Sequence, residues 1–132
     1  MTRLSLPSGK DMDHASTIEC QSLSCPGVTY RIRRMSLGRR IELTRRIREI
    51  GGRLECLEAG RSLTEKVEAS LLLREIDRVY VEWGLSEVRG LNIDGHPATA
   101  SWLIEAGPEC LCEEVLEAIK RENHLNEEDR KN

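Results

Sequence analysis

The sequence predicts a mainly α-helical domain of the α+β class: an antiparallel helical hairpin plus C-terminal helices, with a small β element of two or three short strands. Three observations point there. Apolar residues recur three and four positions apart from Leu43 to Trp83, a Ser-x-x-Glu capping box divides that run, and period-two alternation is clear only over Val28 to Arg33. Composition agrees: a chain with no Phe, 3% aromatic and 33% charged residues is short of strand formers. At 132 residues there is material for one hydrophobic core.

Residues 1–17 mix Ser, Gly, Pro and Asp without periodicity and are expected to form a flexible leader ahead of a single α-rich domain over 18–124. In "GVTYRIRR", Val28, Tyr30 and Ile32 share one face and Thr29, Arg31 and Arg33 the other, the pattern of a half-buried strand. Cys25-Pro26-Gly27 before it is turn chemistry, so "TIECQSLS" is the expected hairpin partner.

From Leu37 the period changes. Leu43, Ile47, Ile50, Leu54 and Leu57 form one face of an amphipathic helix, with Ser36 as cap and Gly60 near its end. Gly51-Gly52 falls inside it at a cost of about 1 kcal/mol per glycine relative to alanine, yet the stripe keeps its phase, so one helix is expected, bent at the pair. "SLTE" at 62–65 then opens a second helix, with Val67, Leu71 or Leu72, Ile76, Val79 or Tyr80, and Trp83 inward and Gly84 at its end. The short connection forces the two helices antiparallel.

"VRGLNI" reads as a strand stopped by the Asp94-Gly95 turn. Thr99 caps a short helix carrying Trp102, Leu103 and Ile104 and ending at Gly107. Pro108 suits the first turn of a last helix whose inward face is Leu111, Val115, Leu116 and Ile119. Residues 125–132 read as a polar tail.

Residues 31–48 hold eight arginines, while residues 105–129 hold nine acids. Arginine forks onto phosphate as readily as onto carboxylate. However, the net charge is −3 and the pI about 5.7, far from the basic balance of a general polyanion binder, and no helix-turn-helix, zinc-finger or RNA-recognition signature accompanies the run. Glu42 and Glu49 stand four residues before Arg46 and Arg53, so part of the charge is expected to pair along the helix. The remainder suits protein partners. Arg31, Arg33, Arg39, Arg40, Arg45 and Arg46 are the candidate contacts, with Glu113 and Glu117 on the acidic side, and the opposed patches also allow self-association. Trp102, in a short helix between turns, is the candidate aromatic anchor, whereas Trp83 follows the inward stripe.

No catalytic, cofactor or metal site is expected. His14, His96 and His124 have no companion nucleophile, and "DGHP" reads as a turn. The gaps between Cys20 and Cys25 and between Cys110 and Cys112 do not suit a zinc site. Cys56 reads as a packing residue. Phosphate-binding and nucleophile-elbow motifs are absent. An odd cysteine count, no long apolar run and no secretory leader together lead to the expectation of a reduced, cytoplasmic protein with no membrane association.

In order, the Arg-rich hairpin leads to "EWGL", then "IDGHPATASWLIEAGPE", then the acidic amphipathic "CEEVLEAIKREN" and a polar "EEDRKN". Order and spacing at Trp83 to Leu85, Asp94-Gly95, Leu103-Ile104, Glu113 to Ile119 and Lys131-Asn132 resemble the tail assembly chaperones of long-tailed bacteriophages and prophages. The resemblance covers about the last two-thirds of the chain and leaves the leader to Cys25 unmatched. It implies a non-enzymatic protein that binds the phage tape measure protein, with the tail tube protein as a further partner. Such a protein keeps its client soluble in the host cytoplasm and is missing from the mature virion. Two other readings remain: a small nucleic-acid-binding or regulatory phage protein that uses the Arg-rich helix, and a structural tail or connector component.

Overall fold

The computed structural model describes residues 11–131. Most of the leader, residues 1–10, lies outside them, and β1 begins at Thr17. The chain runs β1 (Thr17–Gln21), β2 (Thr29–Arg33), α1 (Leu37–Glu58), α2 (Leu63–Gly84), β3 (Leu85–Arg89), β4 (Asn92–Ile93), β5 (His96–Pro97), α3 (Ala100–Ala106) and α4 (Glu109–Lys131). This is the α+β architecture expected from sequence, with one helical hairpin and two later helices. α4 continues as helix through the segment read as a polar tail.

β2 is the centre of a three-stranded antiparallel sheet, order β1-β2-β3. Its alternation is as expected: Val28, Tyr30 and Ile32 are buried, and the Thr29, Arg31 and Arg33 side is half-exposed. The third strand differs from expectation. β3 starts directly at Leu85, where α2 stops, and Arg31 pairs with Glu87 while Ile32 pairs with Leu85. The extra residue, Ser86, is a bulge that turns both Leu85 and Val88 inward despite their odd spacing. "VRGLNI" is therefore two strands, broken at Gly90, where φ is +82° and a Cβ would collide with the Gly27 carbonyl oxygen. Beyond the break, Asp94 (φ 51°) and Gly95 (φ 80°) make the tight turn between β4 and β5.

Helix boundaries follow the caps. Ser36 Oγ accepts from the Arg39 amide at 3.3 Å, and Thr99 Oγ1 accepts from the Trp102 amide at 3.1 Å. At α2 the box is reciprocal: Ser62 Oγ accepts from the Glu65 amide at 3.1 Å, while Glu65 Oε1 accepts from the Ser62 amide at 3.4 Å. α1 passes through Gly51-Gly52 as one helix.

Tyr30 and Ile32 of β2, Val79, Val81 and Trp83 of α2, Leu103 of α3, and Leu111, Val115 and Ile119 of α4 make one core. α4 lies against β2 and α2, and Gly84 permits the approach, because a Cβ there would sit 2.8 Å from Ile119. Leu72 is the inward residue at the position left open between it and Leu71. Val67 points outward, contrary to expectation, since it lies half a turn from the Leu72–Ile76–Val79–Trp83 face. Cys56 is likewise exposed rather than packed.

Two glycine substitutions separate these roles. Nothing lies within 4 Å of a Cβ at Gly51 or Gly52. Gly51→Ala and Gly52→Ala are therefore expected to stabilise by about 1 kcal/mol each in denaturant titration. Gly84→Ala meets Ile119 and is expected to destabilise by about 1–3 kcal/mol.

Candidate protein-binding surface

The arginine run divides between internal and external duty. Arg33 Nη1 donates to the carbonyls of Trp83 (3.3 Å) and Leu85 (3.2 Å), placing a cation on the last turn of α2. There it satisfies carbonyls that the helix cannot and complements the negative end of the helix dipole. Arg31 pairs with Glu19 at 2.9 Å and lies 3.9 Å from Glu87, a ladder across the open face of the sheet. Arg34 reaches Glu122 at 3.5 Å, and Arg40 donates to Asn123 Oδ1 at 3.0 Å, so both fasten the start of the hairpin to α4. Arg46 pairs with Glu82 across the hairpin at 3.3 Å, not along the helix with Glu42 as expected. The expected Glu49–Arg53 pair does not form either, among the described residues. Antiparallel packing brings Glu82 within reach, and that contact wins over the i,i+4 neighbour.

Arg39, Arg45 and Arg48 have no ion-pair or hydrogen-bond partner for their side chains among the described residues. Glu42 and Glu49, the acids of that half of α1, pair with none of them. The arginines of α2 contrast sharply: Arg74 meets Asp77 (3.3 Å) and Glu113 (3.1 Å), and Arg78 meets Glu82 (3.2 Å) and Glu105 (2.6 Å). Glu113 is thus engaged inside the fold, while Glu117 stays exposed. The sequence-derived contacts therefore do not form one patch. Arg31 and Arg33 belong to the sheet, Arg40 and Arg46 to the packing of α1, and only Arg39 and Arg45 remain for an outside partner, joined by Arg48.

Apolar exposure falls on the same hairpin. α1 has α2 as its one substantial packing partner among the described residues, so its far side is bare. Leu37 is 79% exposed and Ile41 50%. On α2, Leu63, Val67 and Leu71 form an exposed row that continues, at helical spacing, past the exposed but ion-paired Arg74 and Arg78 to Val81, which is buried. Leaving a leucine in water rather than buried forgoes about 1.5–3 kcal/mol, so a run of five such residues calls for a cover. The signal was in the sequence: Leu37–Ile41 and Leu63–Val67–Leu71 are i,i+4 series that lie off the inward stripes.

Trp102 is 39% exposed, and its Nε1 donates to the Ile93 carbonyl at 3.2 Å. The indole's polar end is thereby used internally, and its ring floors an open groove with His96 and Pro97. The His96 ring contacts the Asp94 carbonyl at 3.0 Å, consistent with a turn residue. Burial pushes the Cys20 and Cys112 thiols up, away from the thiolate that nucleophilic or ligand chemistry needs. No group of three or more His, Cys, Asp or Glu suited to a metal occurs among the described residues.

Glu114, next to the candidate contact Glu113, is the anchor of the β1–β2 loop. Its carboxylate accepts from Ser22 Oγ (2.9 Å), Leu23 N (3.0 Å), Ser24 N (3.1 Å), Ser24 Oγ (2.6 Å) and the Tyr30 hydroxyl (3.3 Å). Burial alone would raise its pKa. The donors from Ser24, Leu23 and Ser22 outweigh that and hold it at about 2, against an ordinary 4.5. Burial first, then the nearby Cys20 and Glu114, push the Tyr30 hydroxyl well above its usual value.

Comparison with protein-family models, with curated proteins and with solved structures gives no match. Among the described residues no helix is long and apolar enough to cross a membrane.

A carboxyl whose folded pKa is depressed adds stability above its unfolded value and loses it as pH falls toward the folded one. Acid titration of the wild type should therefore show a loss of stability between about pH 4.5 and about 2. Glu114→Gln should remove that component and cost about 1–2 kcal/mol at pH 7, because an amide offers one acceptor oxygen where the carboxylate offers two.

Proposed function

We propose that this chain is a non-enzymatic binding protein for helical polypeptide, working as a tail assembly chaperone that keeps a phage tape measure protein soluble before the tail tube polymerises. The observation that carries the reading is the hairpin: α1 rests on α2 and leaves two bare apolar rows, Leu37–Ile41 and Leu63–Val67–Leu71. A helix-binding protein needs such rows, rimmed by charge, because apolar contact supplies affinity and charge selects the partner. The choice of client comes from the resemblance of the "EWGL" to "EEDRKN" region. Many weak copies along one long client hold it by avidity, so no single site has to be tight.

A nucleic-acid reading draws on Arg39, Arg45 and Arg48. Against it stand the apolar residues set among them and the use of Arg31, Arg33, Arg40 and Arg46 inside the fold. A structural tail or connector role would use the same rows permanently.

Co-expression decides between them. A tape measure fragment that precipitates alone should move largely into the soluble fraction and co-elute with this protein. Equal precipitation with and without it contradicts the reading. Retention on duplex DNA that falls steeply with salt would favour the nucleic-acid alternative. Detection of the chain in mature particles by mass spectrometry would favour the structural one.

A further inference from the structure

We infer that the outer face of α1 between Leu37 and Arg48 is the seat of one acidic amphipathic α-helix, an assignment that rests on the polypeptide-binding reading above. Leu37, Arg40, Ile41, Thr44, Arg45 and Arg48 line an open groove of about 360 Å³. Their spacing, i, i+3, i+4, i+7, i+8 and i+11, is a single helical row, about 16 Å long at 1.5 Å per residue. That is three turns of a partner helix laid alongside. Gly52 continues the row with nothing within 4 Å of its Cβ position, and Glu55 beyond it reverses the sign, which confines the cationic stretch to the first half of the helix.

The sign of the partner follows from what the fold leaves unneutralised. Arg74 and Arg78 of α2, also exposed, each meet two carboxylates of their own chain. Along the outer row of α1, Arg45 and Arg48 are exposed and meet none among the described residues, and the row itself carries no acid, although Glu42 and Glu49 stand exposed on its flank. Leu37 and Ile41 sit in the same row, one turn apart, with Arg45 and Arg48 following. A phosphate backbone satisfies the guanidinium groups and wastes the apolar pair. A helix with leucines at i and i+4 and glutamates on its flanks satisfies both, each guanidinium forking onto a carboxylate. A second copy of this chain is the competing occupant, through Leu63, Val67 and Leu71 of α2 with Glu68 and Glu75 beside them, so self-association of the free chain through this face in sedimentation would overturn the assignment.

The test uses the full chain and two fluorescein-labelled synthetic helices of about 18 residues, identical in their leucines, one flanked by Glu and the other by Lys. Anisotropy titration at low salt is expected to show the Glu helix binding about tenfold or more tighter than the Lys helix. Ile41→Asp, and separately Arg45→Glu with Arg48→Glu, should each weaken the Glu helix by about tenfold, and the double reversal should bring the Lys helix on. Both sites are exposed, so circular dichroism melting should stay unchanged. Equal binding of the two helices overturns the assignment, as does no binding of either. A loss on Val67→Asp in place of Ile41→Asp moves the seat to α2 and overturns it too, and so does displacement of the Glu helix by duplex DNA. The co-expression assay separates the two levels. If the Ile41→Asp and Arg45→Glu/Arg48→Glu variants still solubilise the tape measure fragment, the client reading stands and this seat falls. If the wild type itself does not, the client reading falls.

Discussion

The packing of α1 chiefly on α2, among the described residues, is the constraint from which the surface of this protein follows. A 22-residue helix is about 33 Å long, and α1 presents one apolar stripe, Leu43–Ile47–Ile50–Leu54–Leu57, to one neighbour of equal length. Among the described residues no second layer covers it, so Leu37, Ile41, Thr44, Arg45 and Arg48 on its other side face outward. α2 differs along its length. Its C-terminal half is enclosed by β2, α3 and α4 and supplies Val79, Val81 and Trp83 to the core, while its N-terminal half projects with α1. The hairpin is thus anchored at one end and free at the other, held by Arg33 on the carbonyls at the end of α2 and by Arg40 against Asn123 of α4.

Net charge is a poor guide to such a molecule. The chain is acidic overall, yet the acids where α2, α3 and α4 meet are engaged within the fold: Glu114 by five donors, Glu113, Asp77, Glu82 and Glu105 by Arg74, Arg78, Arg46 and Lys120. Along the outer row of α1 the unpaired charges, Arg45 and Arg48, are positive, with Glu42 and Glu49 unpaired on its flank. The ion pairs around α2, α3 and α4 are mostly exposed and contribute little each, so their effect is to neutralise that junction more than to stabilise it. The end of the hairpin away from that junction is also where apolar side chains are left in water.

How much of this was legible depended on whether the signal was local. The caps at Ser36, Ser62 and Thr99, the turn at Asp94-Gly95 and the buried alternation of Val28, Tyr30 and Ile32 are each written within a few residues, and the chain obeys them. Three features resisted because they are tertiary. The bulge at Ser86 exists only through pairing with β2, so the strand was expected over residues 88–93 and not from Leu85. Arg46 turned to Glu82, 36 positions away, in preference to the nearer Glu42. Glu114 looked like any acid in an acidic helix, and nothing in its neighbours announces the Ser22–Ser24 loop some 90 residues upstream. The candidate contact set suffered for the same reason: proximity in sequence grouped Arg31 and Arg33 with Arg45, although strand and helix send them to different parts of the molecule.

Hydroxyl-radical footprinting of the protein, alone and mixed with a tape measure fragment, reads the bare rows directly through side-chain oxidation. If the hairpin is a polypeptide-binding face, Leu37 and Ile41 lose reactivity in the mixture, while Leu23, more exposed than either but on the β1–β2 loop, keeps it. Unchanged oxidation of Leu37 and Ile41 beside protection of Leu23 or Trp102 would place the contact elsewhere and contradict the account.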